Sequence, residues 1–315
     1  VDEDGLLARI VPRLPRGSDT LLGPGDDAAV VAAADGRVVV STDVLVDGQH
    51  FRRRWSSGRD VGFRAAMQNL ADIAAMGARP TALVIALAVP DDIAPEWLED
   101  LADGLAEACG DVGVVGGDLS AGTELSVAVT VLGDLAGREP VRRSGARPGD
   151  VLAHAGVRGR SVAGHAVLEA GLDGFDDLAD AYRRPLPPLA AGVDAALAGA
   201  TAMLDVSDGL LRDALRIATA SGVRVDLDAP AEVFADDLAA LAAAARALGV
   251  DPAMWVLAGG EDHGLLAAFP PSTPLPAPFR AVGRVIAGEP AVTVAGEAPR
   301  GPLGWDHFAR RSDRG

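Results

Sequence analysis

The hydrophobic positions of this chain change period several times, and each change marks an element. Two extended apolar segments between Ala28 and Val46 flank Asp35-Gly36, a dipeptide that closes tight hairpins between such runs. The pattern predicts a hairpin over residues 25–51 whose ends bring Asp26, Asp27 and Asp43 together. Like charges held that close repel, and a cation among them removes the conflict. Over residues 60–76, Phe63, Met67, Leu70 and Ala74 recur at helical spacing, with Asp60 as N-cap and Gly77 as stop. Asn69 and Asp72 share a second face made of small residues. Asp72 has no basic residue four positions away, which makes it a site candidate. Residues 81–89 form a continuous apolar run, the pattern of a strand covered on both faces. Residues 95–110 read as a helix, 112–115 as a strand running into Gly116-Gly117-Asp118, and 124–132 as an alternating strand.

The stretch 137–150, rich in Gly, Pro and Arg, reads as a domain boundary, and a second αβ set follows it. Its strands are expected at 151–154, 201–204, 223–227, 265–269, 281–286 and 291–294. Its helices are expected at 159–170, after the proline-rich 184–188, from Gly209 through 220, and at 231–248. The fold class is therefore α+β with two α/β domains. An N-terminal domain over 1–138 runs β-β-α-β-α-β-β, and a mixed α/β domain covers 139–315.

Composition narrows the chemistry. Lys+Arg 28 against Asp+Glu 45 gives a formal net charge of −17, which speaks against nucleic acid or an anionic membrane as partner. The chain has no lysine, so a P-loop lysine, a protein-kinase ATP lysine and a Schiff-base lysine are all excluded. The single cysteine, Cys109, forbids an intrachain disulfide and a multi-cysteine zinc site. The first ten residues lack the basic and apolar regions of a signal peptide, and the longest apolar run is too short to span a bilayer. A cytoplasmic location is the expectation.

The candidate chemistry lies in acidic residues at strand ends and helix starts: Asp26, Asp27, Asp43, Asp72, Asp118, Asp205 and Asp208. Each alone also reads as a turn former or an N-cap. Together, with Gly, Ser and Thr beside them, these hard oxygen donors suit Mg²⁺, Mn²⁺ or Ca²⁺ rather than zinc. Carboxylates from distant segments suit Mg²⁺ that bridges to substrate phosphates, and adjacent glycines let backbone N–H groups approach a phosphate. His50 stands just past the acidic hairpin, ahead of Arg52-Arg53-Arg54, and reads as either a structural residue or a substrate contact. The arginine run is a solvated face or a source of one phosphate contact. Arg142 and Arg143 lie in the boundary stretch, within reach of an anion; His154 and His165 have no constellation around them.

In order, GDDAAV, STDVLVDGQHF, NLADIAAMGARP, GGD, RSGARPGD, DVSDG, GGED and the tail WDHF resemble the thiamine-monophosphate kinase family over nearly the whole chain. That family shares a superfamily with aminoimidazole ribonucleotide synthetase and selenophosphate synthetase. The resemblance implies ATP-dependent phosphorylation of thiamine monophosphate to thiamine diphosphate, with several Mg²⁺ ions and a homodimer whose N-terminal domains pair around a β-barrel. It matches Asp27, Ser41, Thr42, Asp43, Asp72, Asp118, Asp205 and Asp208 to magnesium ligands, with Asp43 and Asp208 central to catalysis. It matches Gly117, Asp118, Arg143 and Ser207 to nucleotide contacts, and His50, Glu261 and Trp305 to thiamine phosphate contacts. Four positions depart from the pattern. Leu119 stands where threonine is common, His263-Gly264 where a tyrosine and an acidic residue are usual, and Trp305 where tyrosine is frequent. Two alternatives stand beside the kinase: another ATP-using member of the superfamily, and a non-enzymatic nucleotide- or metal-binding regulator.

Overall fold

A computed structural model of the chain describes residues 3–24 and 28–305. Two compact units divide it: Val1–Pro140 with Arg183–Pro185, and Val141–Tyr182 with Leu186–Gly315. Both mix helices with sheets, an α+β architecture. Among the described residues no single helix is long and apolar enough to cross a membrane.

The first unit contains α1 (Glu3–Ile10), β1 (Thr20–Leu22), β2 (Val30–Val31), β3 (Val39–Val46) and α2 (Gly58–Ala75). It continues with β4 (Arg79–Val89), α3 (Pro95–Cys109), β5 (Gly113–Ala121) and β6 (Ser126–Asp134). The hairpin expected around Asp35-Gly36 does not form. β2 pairs antiparallel with β1, while β3 pairs along its whole length with β6 in a sheet of order β3-β6-β4-β5. Asp35-Gly36 still makes a turn, with Gly36 at φ 74° and Asp35 accepting from the Arg37 backbone N–H at 2.9 Å. The turn sends the chain onward rather than back, because a two-residue β2 offers too few ladder bonds to compete with an eight-residue pairing to β6. Asp26 and Asp27 lie outside the described residues.

α2 starts earlier than its apolar stripe suggests. Ser57 is the N-cap, accepting from the Asp60 N–H at 3.2 Å, and the Asp60 carboxylate accepts from the Ser57 N–H at 2.9 Å. This reciprocal pair is a capping box, so Asp60 is the third helical residue rather than the cap. Gly117 and Asp118 also shift role: β5 runs through them instead of ending before them. β4 is not covered on both faces as its composition suggests. Leu83, Ile85 and Leu87 are buried, but Val84 and Ala86 are exposed. The same alternation leaves Val40, Thr42 and Val44 of β3 exposed, so one sheet face carries α2 and α3 and the other is open.

The second unit contains β7 (Val151–Ala155), α4 (Arg160–Ala170), α5 (Asp176–Arg183, its last residue counted with the first unit) and α6 (Leu189–Leu197). It continues with β8 (Ala202–Val206), α7 (Leu210–Ser221), β9 (Arg224–Leu227), α8 (Pro230–Val233), α9 (Ala235–Leu248) and α10 (Pro252–Ala258), and ends with β10 (Gly264–Phe269), β11 (Arg280–Ile286) and β12 (Ala291–Val294). α5 and α10 have no counterpart in the periodicity. The single helix expected over 231–248 is two, broken where Phe234 leaves helical geometry to enter the core. The six strands form one sheet of order β12-β9-β11-β7-β10-β8. The buried core includes Leu152, Leu204, Leu266, Ile217, Phe234 and Leu241.

Candidate active site

In the first unit the site residues sit where β3 faces α2. Ser41 and Asp43 share the face of the buried Leu45, because strand side chains alternate. Ser41 donates its hydroxyl to Asp72 Oδ2 at 2.7 Å, and Gln68, one helical turn before Asp72, donates Nε2 to Asp43 Oδ2 at 3.3 Å. Three sequence-predicted ligands, Ser41, Asp43 and Asp72, are thus brought to one strand–helix seam. Thr42 faces the open side, donating to the Val129 carbonyl at 2.9 Å and accepting from Thr130 at 3.2 Å. Asn69 donates to the Ala65 carbonyl of its own helix at 2.8 Å.

Asp118 lies apart from that seam. Its strand, β5, is separated from β3 by β6 and β4, a span of roughly 14 Å at ordinary strand spacing. Asp118 accepts from Ser120 at 2.8 Å and stands opposite the exposed Ala86. Gly116, Gly117 and Asp118 edge an apolar cavity of about 680 Å³ walled by residues such as Leu7, Ile10, Leu101 and Leu105.

The turn after β3 fixes His50. The Val46 N–H donates to His50 Nδ1 at 3.0 Å, so the neutral ring carries its proton on Nε2 and presents a donor there. Its arginine neighbours are engaged: Arg53 pairs with Asp47 at 2.7 Å and Asp92 at 2.9 Å, and Arg52 and Arg54 lie 4.8 and 4.5 Å from the Trp55 ring. The Trp55 carbonyl accepts from Arg183 Nε at 2.6 Å, which ties this turn to the separate Arg183–Pro185 piece of the same unit.

In the second unit three segments converge. β8 carries Asp205 within its last residues and delivers Ser207 and Asp208 to the start of α7. The Glu261 N–H donates to the Ser207 carbonyl and the Trp305 N–H to the Asp208 carbonyl, each at 2.8 Å. Asp205, Ser207, Asp208, Glu261 and Trp305 therefore cluster. Gly260 makes this approach possible, since a Cβ there would stand 2.4 Å from the Ser207 carbonyl oxygen. Arg143 is not part of the cluster. Its carbonyl accepts from Ser221 at the far end of α7, about 18 Å of helix away from Asp208. Asp306, His307 and Phe308 of the tail lie outside the described residues.

Two carboxylates here have cationic partners that the sequence reading missed. Asp208 Oδ2 pairs with Arg216 Nη2 at 2.5 Å, and Arg216 also pairs with Asp213. Asp213 is fully buried and accepts the Asp208 N–H at 3.0 Å, holding the DVSDG turn from below. Burial pushes the Asp213 carboxyl up to about 6 against the pull of Arg216. The spacings Asp213–Arg216 and Asp208–Arg216, one and two helical turns, were the available signal.

His263 stands between the other two carboxylates, Nδ1 at 3.4 Å from Asp205 and Nε2 at 3.7 Å from Glu261. Burial works against a charge on this ring, but Asp205 and Glu261 outweigh it and carry its pKa up to about 10. The protonated imidazole keeps two acidic groups together that would otherwise repel. Gly264 also has a geometric reason: a Cβ there would stand 2.6 Å from Nε2 of the fully buried His154. Burial holds His154 well below the usual histidine pKa, so it is a neutral core ring, edge-on to Phe234.

Among the described residues no three His, Cys, Asp or Glu side chains converge closely enough to hold a metal ion by themselves. The donors nevertheless fit Mg²⁺, which favours hard oxygens and is commonly held by one or two carboxylates with substrate phosphates and water completing its shell. Asp43 with Asp72, and Asp205 with Asp208, are sets of that size.

Residues 25–135 match the family described as AIR synthase related protein, N-terminal domain, and residues 147–271 match the corresponding C-terminal domain. The chain is 50% identical over 97% of its length to thiamine-monophosphate kinase of Mycobacterium tuberculosis, covering 92% of that protein. The solved structure of thiamine monophosphate kinase from Aquifex aeolicus superposes with a TM-score of 0.76 at 29% identity, covering 85% of this chain and 91% of that one. AaThiL complexed with AMPPCP and TMP also gives a TM-score of 0.76, at 31% identity, covering 90% of this chain and 91% of that one.

Proposed function

The chain belongs to the thiamine-monophosphate kinase family, and we propose that it transfers the γ-phosphoryl group of ATP to thiamine monophosphate. The products are thiamine diphosphate and ADP, completing thiamine diphosphate synthesis. The observation that carries the reading is the convergence of the 205–209, 259–263 and 303–305 segments. It brings the main chain of Asp208, Glu261 and the exposed Trp305 together, carboxylates that can hold a cation alongside an aromatic residue. AaThiL, complexed with AMPPCP and TMP, superposes on this chain with a TM-score of 0.76.

The acceptor is a phosphate with a second pKa of about 6, so it is largely dianionic at neutral pH and needs no general base. One of its oxygens attacks the γ-phosphorus while the bond to the ADP oxygen breaks. The barrier is mainly one of placing two polyanions in line and offsetting their charge. Mg²⁺, when bound, supplies that charge, and Ser41, Asp43, Asp72, Asp205 and Asp208 are the groups that would hold it. Asp27, Thr42 and Asp118 are proposed as further ligands, Thr42 through its carbonyl oxygen because its side chain faces the other way. His50 donates Nε2–H to the thiamine phosphate. Glu261 and Trp305 suit the permanently cationic thiazolium, the first by charge and the second by cation–π contact. Gly117, Ser207 and Arg143 are assigned to the nucleotide. The apolar cavity beside Gly117 has the size and lining for a purine.

We further assign the 1–138 region to nucleotide and metal binding and to dimerisation, and 139–315 to completing the nucleotide and substrate site, in a cytoplasmic homodimer. The open sheet face, with exposed Val40, Val44 and Val84, supports pairing of N-terminal sheets into a barrel. Incubating the chain with ATP, Mg²⁺ and thiamine monophosphate tests the reading. Thiamine diphosphate with stoichiometric ADP is expected, and well-folded protein without product would refute it.

A further inference from the structure

Arg158 is the largest fully buried side chain among the described residues, and it lies outside the set assigned to metal, nucleotide or substrate. Burying a guanidinium costs more than burying an apolar side chain of equal volume, so its contacts should reveal what it does. Its donors go to main chain at the end of α10: Nε to the Val256 carbonyl at 3.3 Å and Nη2 to the Gly259 carbonyl at 2.5 Å. Nη1 lies 3.5 Å from Asp262 Oδ2. Asp262 accepts the N–H groups of Gly159 at 2.5 Å and Ser161 at 2.8 Å, at the start of α4, where the helix dipole favours a carboxylate. Below the pair, Asp237 accepts from the Arg158 N–H at 3.0 Å and from Arg280 at 2.7 Å.

The chain is thus pinned at Gly259 and at Asp262, and only Gly260 and Glu261 lie between. Glu261 has φ 70°, a left-handed conformation that a residue with a Cβ keeps only when its surroundings impose it. We propose that Arg158 and Asp262 form a clamp that imposes this conformation, making Arg158 a positioning residue for Glu261 that tunes affinity for thiamine monophosphate without touching it. The proposal rests on the substrate role assigned to Glu261.

Steady-state kinetics on the full chain test it with Arg158→Met, Arg158→Lys, Asp262→Asn and Glu261→Gln, and with Arg158→Met combined with Glu261→Gln. Arg158→Met should raise KM for thiamine monophosphate about ten-fold with KM for ATP nearly unchanged, and Arg158→Lys should recover part of the loss. In the Glu261→Gln background Arg158→Met should add little, because both act through one carboxylate. Unchanged KM for thiamine monophosphate, an equal rise for both substrates, or full additivity would each overturn the clamp. If Arg158→Met fails to fold, Asp262→Asn and Arg158→Lys carry the same comparison, and the same outcomes support or overturn the clamp. A wild-type chain that makes no thiamine diphosphate overturns the kinase reading, and this proposal with it. An active wild type with indifferent variants overturns the clamp alone.

Discussion

The two units differ in the described partners of their candidate site carboxylates. In the first, Asp43 and Asp72 lie along a strand–helix seam and accept hydrogen bonds from the neutral groups of Gln68 and Ser41. In the second, Asp205 at the end of β8 and Asp208 and Asp262 in the loops beside it have His263, Arg216 and Arg158 as cationic partners. A neutral donor orients a carboxylate without cancelling its charge. A cationic partner fixes the loop more firmly, and a metal that binds there must compete with it.

Removing a carboxylate from each unit should give the largest effects. Asp43→Asn and Asp208→Asn are each expected to lower turnover by roughly 10²–10³-fold. Asp43→Asn should melt as the wild type does, and an unchanged rate in either variant would remove that residue from the catalytic set. Breaking the internal pairing of the second unit comes next. Arg216→Met leaves the fully buried Asp213 without its cation and should cost about 3 kcal/mol in urea unfolding. No comparable cost is expected for Gln68→Met in the first unit, since it removes only a neutral donor.

The pH dependence of stability distinguishes the units further. His263 has its folded pKa raised to about 10, so between its unfolded value of roughly 6.5 and that figure the native state binds more protons than the unfolded chain. Its stabilising contribution is complete below the lower value and is lost as pH rises through the upper one. Melting temperatures from pH 6.5 to 9.5 should therefore fall more steeply in the wild type than in His263→Gln; parallel curves would show that the ring is not held charged. The smallest effect on folding should come from the open sheet face. Val40→Asp and Val44→Asp are expected to leave the melting of the second unit unchanged while shifting the sedimentation coefficient toward that of a monomer. A dimer that persists in both variants would move the interface elsewhere.

Much of the framework was legible because it rests on local signals. The helix at Pro95–Cys109, with proline in its first turn and glycine at its end, and the short strand Ala291–Val294 lie where periodicity and punctuation put them. Expectation and structure part where a distant partner decides the outcome. Asp35-Gly36 turns the chain, but the register of β3 belongs to β6, 80 to 94 residues further on. The apolar run of β4 gave its strand correctly, yet composition could not tell a second helical layer from an open face. The helix expected over 231–248 was broken by the demand that Phe234 enter the core.

The alternation of strands and helices, the exclusion of lysine chemistry, and the acidic motifs with the chemistry they suit can all be read from the unfolded chain. These depend on neighbours a few residues away or on composition, which the chain carries in any conformation. Folding settles that Ser41 and Asp43 turn toward Asp72 while Thr42 turns away, that Asp208 is paired with an arginine, and that a buried Arg158 stands behind Glu261. Each is a contact between groups far apart in sequence or on opposite faces of one strand. Whether such a contact forms is settled by what the packed core leaves room for.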